Sequence, residues 1–164
     1  MVLTTVVQAE GPSSPNPGLR YYYPVPPANP PQTLKVDICI YGGTPGGVAA
    51  AVQAKRMGKT AALAVFRRHV GGLTSAGLTA VDFGKAESIG GLAAEFLKTV
   101  GKRPGTKATE NERWSAFSPS QAETRFREML TEAGVPVFYE YRLSDVVKNG
   151  AHITALKFEN GNTI

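Results

Sequence analysis

The sequence predicts an α/β domain built on a parallel sheet, and three stretches carry that expectation. "KVDICIY" (residues 35–41) and "TAALAVF" (residues 60–66) are short, nearly continuous apolar runs, the pattern of parallel strands covered on both faces. Between them "GVAAAVQAKRMG" is rich in alanine and has no internal breaker before Gly58, so it reads as a helix. Strand, tight turn, helix and strand within about 30 residues make a βαβ unit, whose crossover should be right-handed.

The chain has 164 residues, enough for one domain with a real core. Apolar residues at 42% and charged residues at 19% exclude a wholly disordered chain. Residues 1–34 read as a leader or linker, because "EGPSSPNPGLRYYYPVPPANPPQ" holds most of the prolines and has neither helical nor strand period. Its tyrosines could lay it across the domain, or it could be a flexible leader with no task. The opening "MVLTTVVQA" has a small residue before Glu10, as at the end of a secretory signal, but lacks a basic start. Export therefore stays open beside a cytoplasmic location. No stretch approaches the roughly 20 apolar residues that span a bilayer, so no membrane partner is expected.

The folded part is expected over residues 35–164. After the βαβ unit and a glycine-rich loop, Ser88 is expected to cap a helix with Ile89, Leu92, Ala93, Phe96, Leu97 and Val100 on one face, stopped by Gly101. Gly90 and Gly91 would weaken it by about 1 kcal/mol each relative to alanine if interior. A polar, basic surface loop then covers residues 102–113. The next helix has the strongest signals: Ser118 as cap, Pro119 in the first turn and Gln121 three residues after the cap. Its buried stripe is Ala122, Phe126, Met129, Leu130 and Ala133, and Gly134 closes it. "VPVFYEY", "LSDVV" and "HITALKFEN" read as a strand followed by an antiparallel meander, with turns at Asn149-Gly150 and Asn160-Gly161. "GNTI" begins a further strand, the first sign that the domain is incomplete at its C-terminus.

The net charge of +5 is local. No Asp or Glu occurs between Ile38 and Val81, where Lys55, Arg56, Lys59, Arg67 and Arg68 fall. Such a patch suits a small phosphorylated ligand, and with no nucleic-acid-binding motif beside it no nucleic acid is expected. Cys39 is the single cysteine, which excludes an intrachain disulfide and a cysteine metal cluster. Lying in an apolar run, it is expected to be a buried, inert thiol. No metal site is expected.

The chemistry is expected at "YGGTPGG", residues 41–47. In the dinucleotide fingerprint the first glycine permits a tight turn, the second lets a pyrophosphate approach the backbone, and the third lets helix and strand pack closely. Gly42 and Gly47 fill the outer positions and Thr44 the middle one, while Gly43 and Gly46 supply compensating freedom. N–H groups at the helix start and the positive end of its dipole would face the phosphates. A ribose-binding acid should follow about 20 residues on, at the end of the second strand. Val65, Phe66, Arg67 and Arg68 stand there instead. Either the ribose is held another way, or the arginines face a phosphate such as the 2′-phosphate of NADP, or both arginines are merely solvated.

In "VDICIYGGTPGGVAAAVQAKRMGKT", "RHVGGLTSAGLTAVDFG", "IGGLAAEFLKTVGKRPG" and "FREMLTEAGVPV", taken in order from Val36 onward, the chain resembles the N-terminal part of the FAD-dependent oxidoreductases that carry a G-G-T-P-x-G loop. The resemblance implies a Rossmann-like, three-layer FAD/NAD(P)-binding domain of the glutathione-reductase type, with a threonine in the loop as that family's own usage. It implies that Gly42, Gly43, Thr44, Pro45, Gly46 and Gly47 hold the FAD pyrophosphate. Arg67, Arg68, His69, Gly71, Gly72 and Leu73 would lie beside the cofactor, and Leu143 would meet the adenine through its backbone. No catalytic residue is assigned. Val65 stands where the family has its ribose acid, a loss of roughly 1.5 to 3 kcal/mol of binding. Ala76 replaces a usual glycine, and Ser118 and Ser120 replace a Glu and a His. Family members continue for several hundred residues, so this chain is expected to be the FAD-binding N-terminal fragment of an enzyme acting on a small-molecule substrate, without its C-terminal substrate domain. A non-catalytic remnant and an NADP-binding Rossmann protein are the alternatives.

Overall fold

The computed structural model describes residues 25–78, 81, 84–100 and 117–164. The signal-like opening, the tyrosines at 21–23 and the basic loop at 102–113 lie outside the described residues.

Three strands, β1 (Ile38–Tyr41), β2 (Ala61–Val65) and β3 (Val137–Tyr139), form a parallel sheet in the order β1-β2-β3. Ile38 pairs with Ala61 and Val65 with Tyr139, so all three strands end together at one edge. Every residue of β2 is buried, as its unbroken apolar run predicts for a central strand. β1 differs from expectation. It is half-buried rather than covered on both faces, because it forms the sheet's edge among the described strands, with Ile38 and Tyr41 each 40% exposed. Cys39 on this strand is accordingly half-buried, and burial pushes its thiol pKa up, which agrees with an unreactive role.

Side-chain alternation divides the sheet into two faces. Ile40, Leu63, Val65, Val137 and Tyr139 point to the helical core, which includes Val48, Ala51 and Val52 from α1 (Pro45–Arg56). A short helix, α2 (Gly72–Ser75), follows β2; two longer ones, α3 (Gly91–Val100) and α4 (Pro119–Glu132), complete that layer. Phe96 of α3 stacks on Phe126 of α4 at 4.2 Å, which locks these helices together over the sheet. The opposite face meets the antiparallel hairpin of β4 (Leu143–Asn149) and β5 (His152–Phe158) through the rings of Tyr41, Phe138, Tyr141 and Phe158. Helices, parallel sheet and hairpin make the three expected layers.

The helix ends show why these residues stop where they do. Ser118 caps α4 in a full capping box: its hydroxyl accepts from the Gln121 N–H, and the Gln121 side chain accepts from the Ser118 N–H. Thus the serine that departs from the family pattern ends a helix properly. Ser88 does not cap α3. It closes a 3-10 turn (Ala86–Ser88) by donating to the Lys85 carbonyl, and α3 begins only at Gly91, whose φ of +56° suits glycine. Gly90 and Gly91 therefore sit at the helix start rather than inside it, and the interior penalty does not arise. Ala94, not Ala93, joins the buried stripe of α3.

At the hairpin, Gly150 with φ +61° opens a two-residue loop between Asn149 and His152. Beyond β5 the chain turns back as expected: Ile164 exchanges two hydrogen bonds with Leu156. Part of the leader joins this end of the fold. Ala28 donates to the Asn160 carbonyl, Gln32 to the Asn162 side chain, and Thr33 bridges Thr163.

Candidate dinucleotide site

The loop between β1 and α1 is held at the C-terminal edge of the sheet, where the Gly42 N–H donates to the Ala64 carbonyl. Gly42 has φ +122°, the tight-turn conformation expected of the first glycine. A Cβ on Gly47 would lie 1.9 Å from the Gly42 carbonyl oxygen, so only glycine lets the helix start so close to the strand end. This is the close-packing role expected of the third glycine.

Thr44 is the N-cap of α1: its hydroxyl accepts from the Gly47 N–H at 3.1 Å. Pro45 carries no N–H, and the Val48 N–H returns to the Thr44 carbonyl. Among the described residues no hydrogen bond engages the Gly46 N–H, which the first turn therefore presents to an anion. The threonine pre-forms the helix end without occupying all of its donors.

A second glycine pair is tied to this loop. The Gly71 N–H donates to the Gly43 carbonyl at 2.7 Å, and a Cβ on Gly72 would meet Pro45 and Thr44 at 3.3 to 3.8 Å. Gly72 thus packs against residues 42–47, while Gly71 is buried with Phe126 and Ser75 occupying the space a Cβ would take. Leu73, at the start of α2, lies 73% exposed beside Gly72. Ala76 has φ −102°, so this position needs no glycine and the departure there is accommodated. Next to the first turn of α1 an apolar cavity of about 330 Å³ opens among Pro45, Val48, Thr74, Phe96, Phe126 and Met129.

Other residues named from the sequence have partners within the protein. His69 turns to α4, with Nδ1 2.9 Å from the Glu123 carboxylate, which also accepts from Arg127. Burial raises the Glu123 carboxyl, but the hydrogen bonds from Arg127 and His69 outweigh it and leave its pKa below the ordinary value. The Leu143 N–H donates to the Tyr41 hydroxyl at 3.2 Å, so one of its backbone groups is engaged within the protein. Val65 is 2% exposed and packs under Gly43, where a Cβ would fall 2.7 Å from its methyl; the expected place of the ribose acid belongs to the core.

Sequence reasoning missed one acid nearby. Glu140 follows β3, and its carboxylate accepts from Arg68 Nε at 2.8 Å. Arg56 is likewise paired, with Glu95 through two hydrogen bonds, so acids distant in sequence offset part of the local basic excess. Arg67 lies on the exposed side of the same loop, with its guanidinium 5.9 Å from the Phe66 ring.

A parallel sheet, a glycine turn entering a helix at its C-terminal edge and a second glycine pair against that turn define a dinucleotide-binding α/β protein. The sequence profile of the FAD dependent oxidoreductases matches residues 37–164, and the chain belongs to that family. Three solved structures share the fold. Thermovibrio ammonificans THI4 is 22% identical with a TM-score of 0.51, over 76% of this chain and 48% of its own. The Bacillus cereus bacillithiol disulfide reductase is 21% identical with a TM-score of 0.51, over 80% of this chain and 36% of its own. A geranylgeranyl bacteriochlorophyll reductase-like protein of Thermoplasma acidophilum is 18% identical with a TM-score of 0.53, over 80% and 37%. The chain therefore spans between about a third and a half of these structures' length. No curated protein matches its sequence. No helix among the described residues is long and apolar enough to cross a membrane.

Proposed function

We propose that this chain binds FAD, with the ADP half across residues 42–47, as the cofactor domain of a flavoprotein oxidoreductase acting on a small organic substrate. The observation that carries this reading is the approach of Gly47 to the Gly42 carbonyl, which brings the start of α1 to the sheet edge beside Gly71 and Gly72. The residues present fit a pyrophosphate. Gly42 and Gly47 leave no side chain between it and the backbone, the Gly46 N–H and the positive end of α1 meet its charge, and no acidic residue stands in the first turn of α1.

When bound, FAD would supply the electron and hydride transfer at its ring. The chain's own residues bind and orient it: residues 42–47 fix the pyrophosphate, Gly71 ties its loop to Gly43, Gly72 lets the cofactor lie close, and Leu73 gives an apolar cover. His69 acts indirectly, by tying the loop of Arg68 and His69 to α4 through Glu123. We assign no nucleic-acid partner, since Arg56 and Arg68 are already held by carboxylates. The test is gel filtration of the purified chain with FAD, reading the flavin absorbance that co-elutes. Stoichiometric flavin in the wild type and none in Gly47→Val supports the reading; a folded wild type that elutes free of flavin overturns it.

A further inference from the structure

We propose that Glu140 supplies the ribose-binding carboxylate that position 65 lacks, so that the site takes an adenosine with a free 2′,3′-diol and disfavours one with a 2′-phosphate. Resting on the proposed cofactor site, this assignment concerns its ribose end.

The acid of a dinucleotide site is expected at the end of the strand after the glycine loop, and here that place is a buried valine. Glu140 stands at the end of the next strand in the sheet. The two ends are laced together: Val65 pairs with Tyr139, the Tyr141 N–H donates to the Val65 carbonyl at 3.0 Å, and the Glu140 N–H to the Arg67 carbonyl at 3.2 Å. Neighbouring strands lie about 4.8 Å apart, a step that a glutamate side chain spans. The acid has thus moved sideways by one strand and stayed at the same edge.

Two features hold it there. Glu140 has φ +60°, the only left-handed residue other than glycine among those described, and such a conformation persists where the surroundings impose it, often at functional sites. Arg68 then fixes the carboxylate direction through Nε. The Glu140 side chain is 27% exposed, so a ligand can reach it. An ionised carboxylate offers about four acceptor positions, so it can accept from several donors at once. A 2′-phosphate in the same place would set two anions side by side, which opposes NADP even though two arginines are near.

The experiment is isothermal titration of ADP, 2′,3′-dideoxy-ADP and 2′-phospho-ADP into the full chain and into Glu140→Gln. In the wild type ADP should bind about tenfold to a hundredfold more tightly than the dideoxy analogue, the range of a charge-assisted hydrogen bond. In Glu140→Gln the two should differ by less than about threefold, and the penalty for a 2′-phosphate should shrink. Glu140→Gly removes the carboxylate while suiting the left-handed backbone, so it should fold and give the same loss of preference. An unchanged preference for ADP in both variants overturns the assignment of Glu140 while leaving the loop site standing. A folded wild type that binds no ADP overturns both.

Discussion

Adding one methyl group to Gly47 should do more damage than adding one to its neighbour Gly46. In Gly47→Ala the new Cβ would lie 1.9 Å from the Gly42 oxygen and 3.1 Å from its carbon, both backbone atoms that no rotamer can move aside. Real Cβ contacts stop near 3.0 Å, so strand end and helix must part by roughly 1 Å against a close-packed core. Such overpacking costs about 1 to 3 kcal/mol, or about 2 to 12 °C in Tm for a chain of this size. It also carries the Gly46 N–H and the helix end away from the proposed pyrophosphate position. In Gly46→Ala the Cβ would meet only the Thr44 hydroxyl at 3.8 Å, an ordinary contact, and stability should change by less than about 0.5 kcal/mol. Thermal unfolding by far-UV circular dichroism, paired with ADP titration, reads both effects. A Gly47→Ala chain that melts with the wild type and binds ADP equally well would refute the reasoning.

Three further outcomes are expected. Thr44→Val loses the bond to the Gly47 N–H and should destabilise by about 1 kcal/mol, while Thr44→Ser should stay within a few tenths; equal melts for both would remove the capping role. Ser118→Ala removes the hydroxyl that accepts from the Gln121 N–H, while the backbone N–H half of the α4 capping box remains, and should cost about 1 kcal/mol in urea unfolding, with the slope unchanged. Glu123 has a lowered pKa in the fold, so its ion pairs stabilise above the unfolded carboxyl value and are lost as pH falls through the folded one. Wild type should therefore exceed Glu123→Gln by up to about 1 kcal/mol at pH 7 and converge with it in acid below the ordinary carboxylate range; a gap independent of pH would contradict the assignment.

Local signals in the sequence were enough for the elements that depend on local chemistry. The buried run of β2, the breaker-free α1 and the Ser118, Gln121 and Gly134 signals of α4 all became the expected structures. Where two local rules competed, position was less legible. Ser88 satisfies a turn instead of a helix start, since the following glycine pair favours a left-handed entry at Gly91 over an earlier helix. The half-exposure of β1 was hidden because an apolar run does not say which strand is central. The tight turn at Gly42 and the close packing at Gly47 were legible through spacing and context, but the place of Glu140 beside the end of β2 was not. It lies 75 positions beyond Val65 in sequence, and only the parallel pairing of β2 with β3 makes them neighbours. The signal that could have pointed to it is the expected strand "VPVFYEY" itself, since a parallel strand placed beside β2 must end at the same edge.

The central claim is tested most directly by isothermal titration of FAD into the purified, folded chain, followed by displacement with ADP. Saturable binding of one FAD per chain, displaced by ADP and absent in Gly47→Ala, is the predicted result. A folded wild-type chain that gives no heat with either ligand would contradict it.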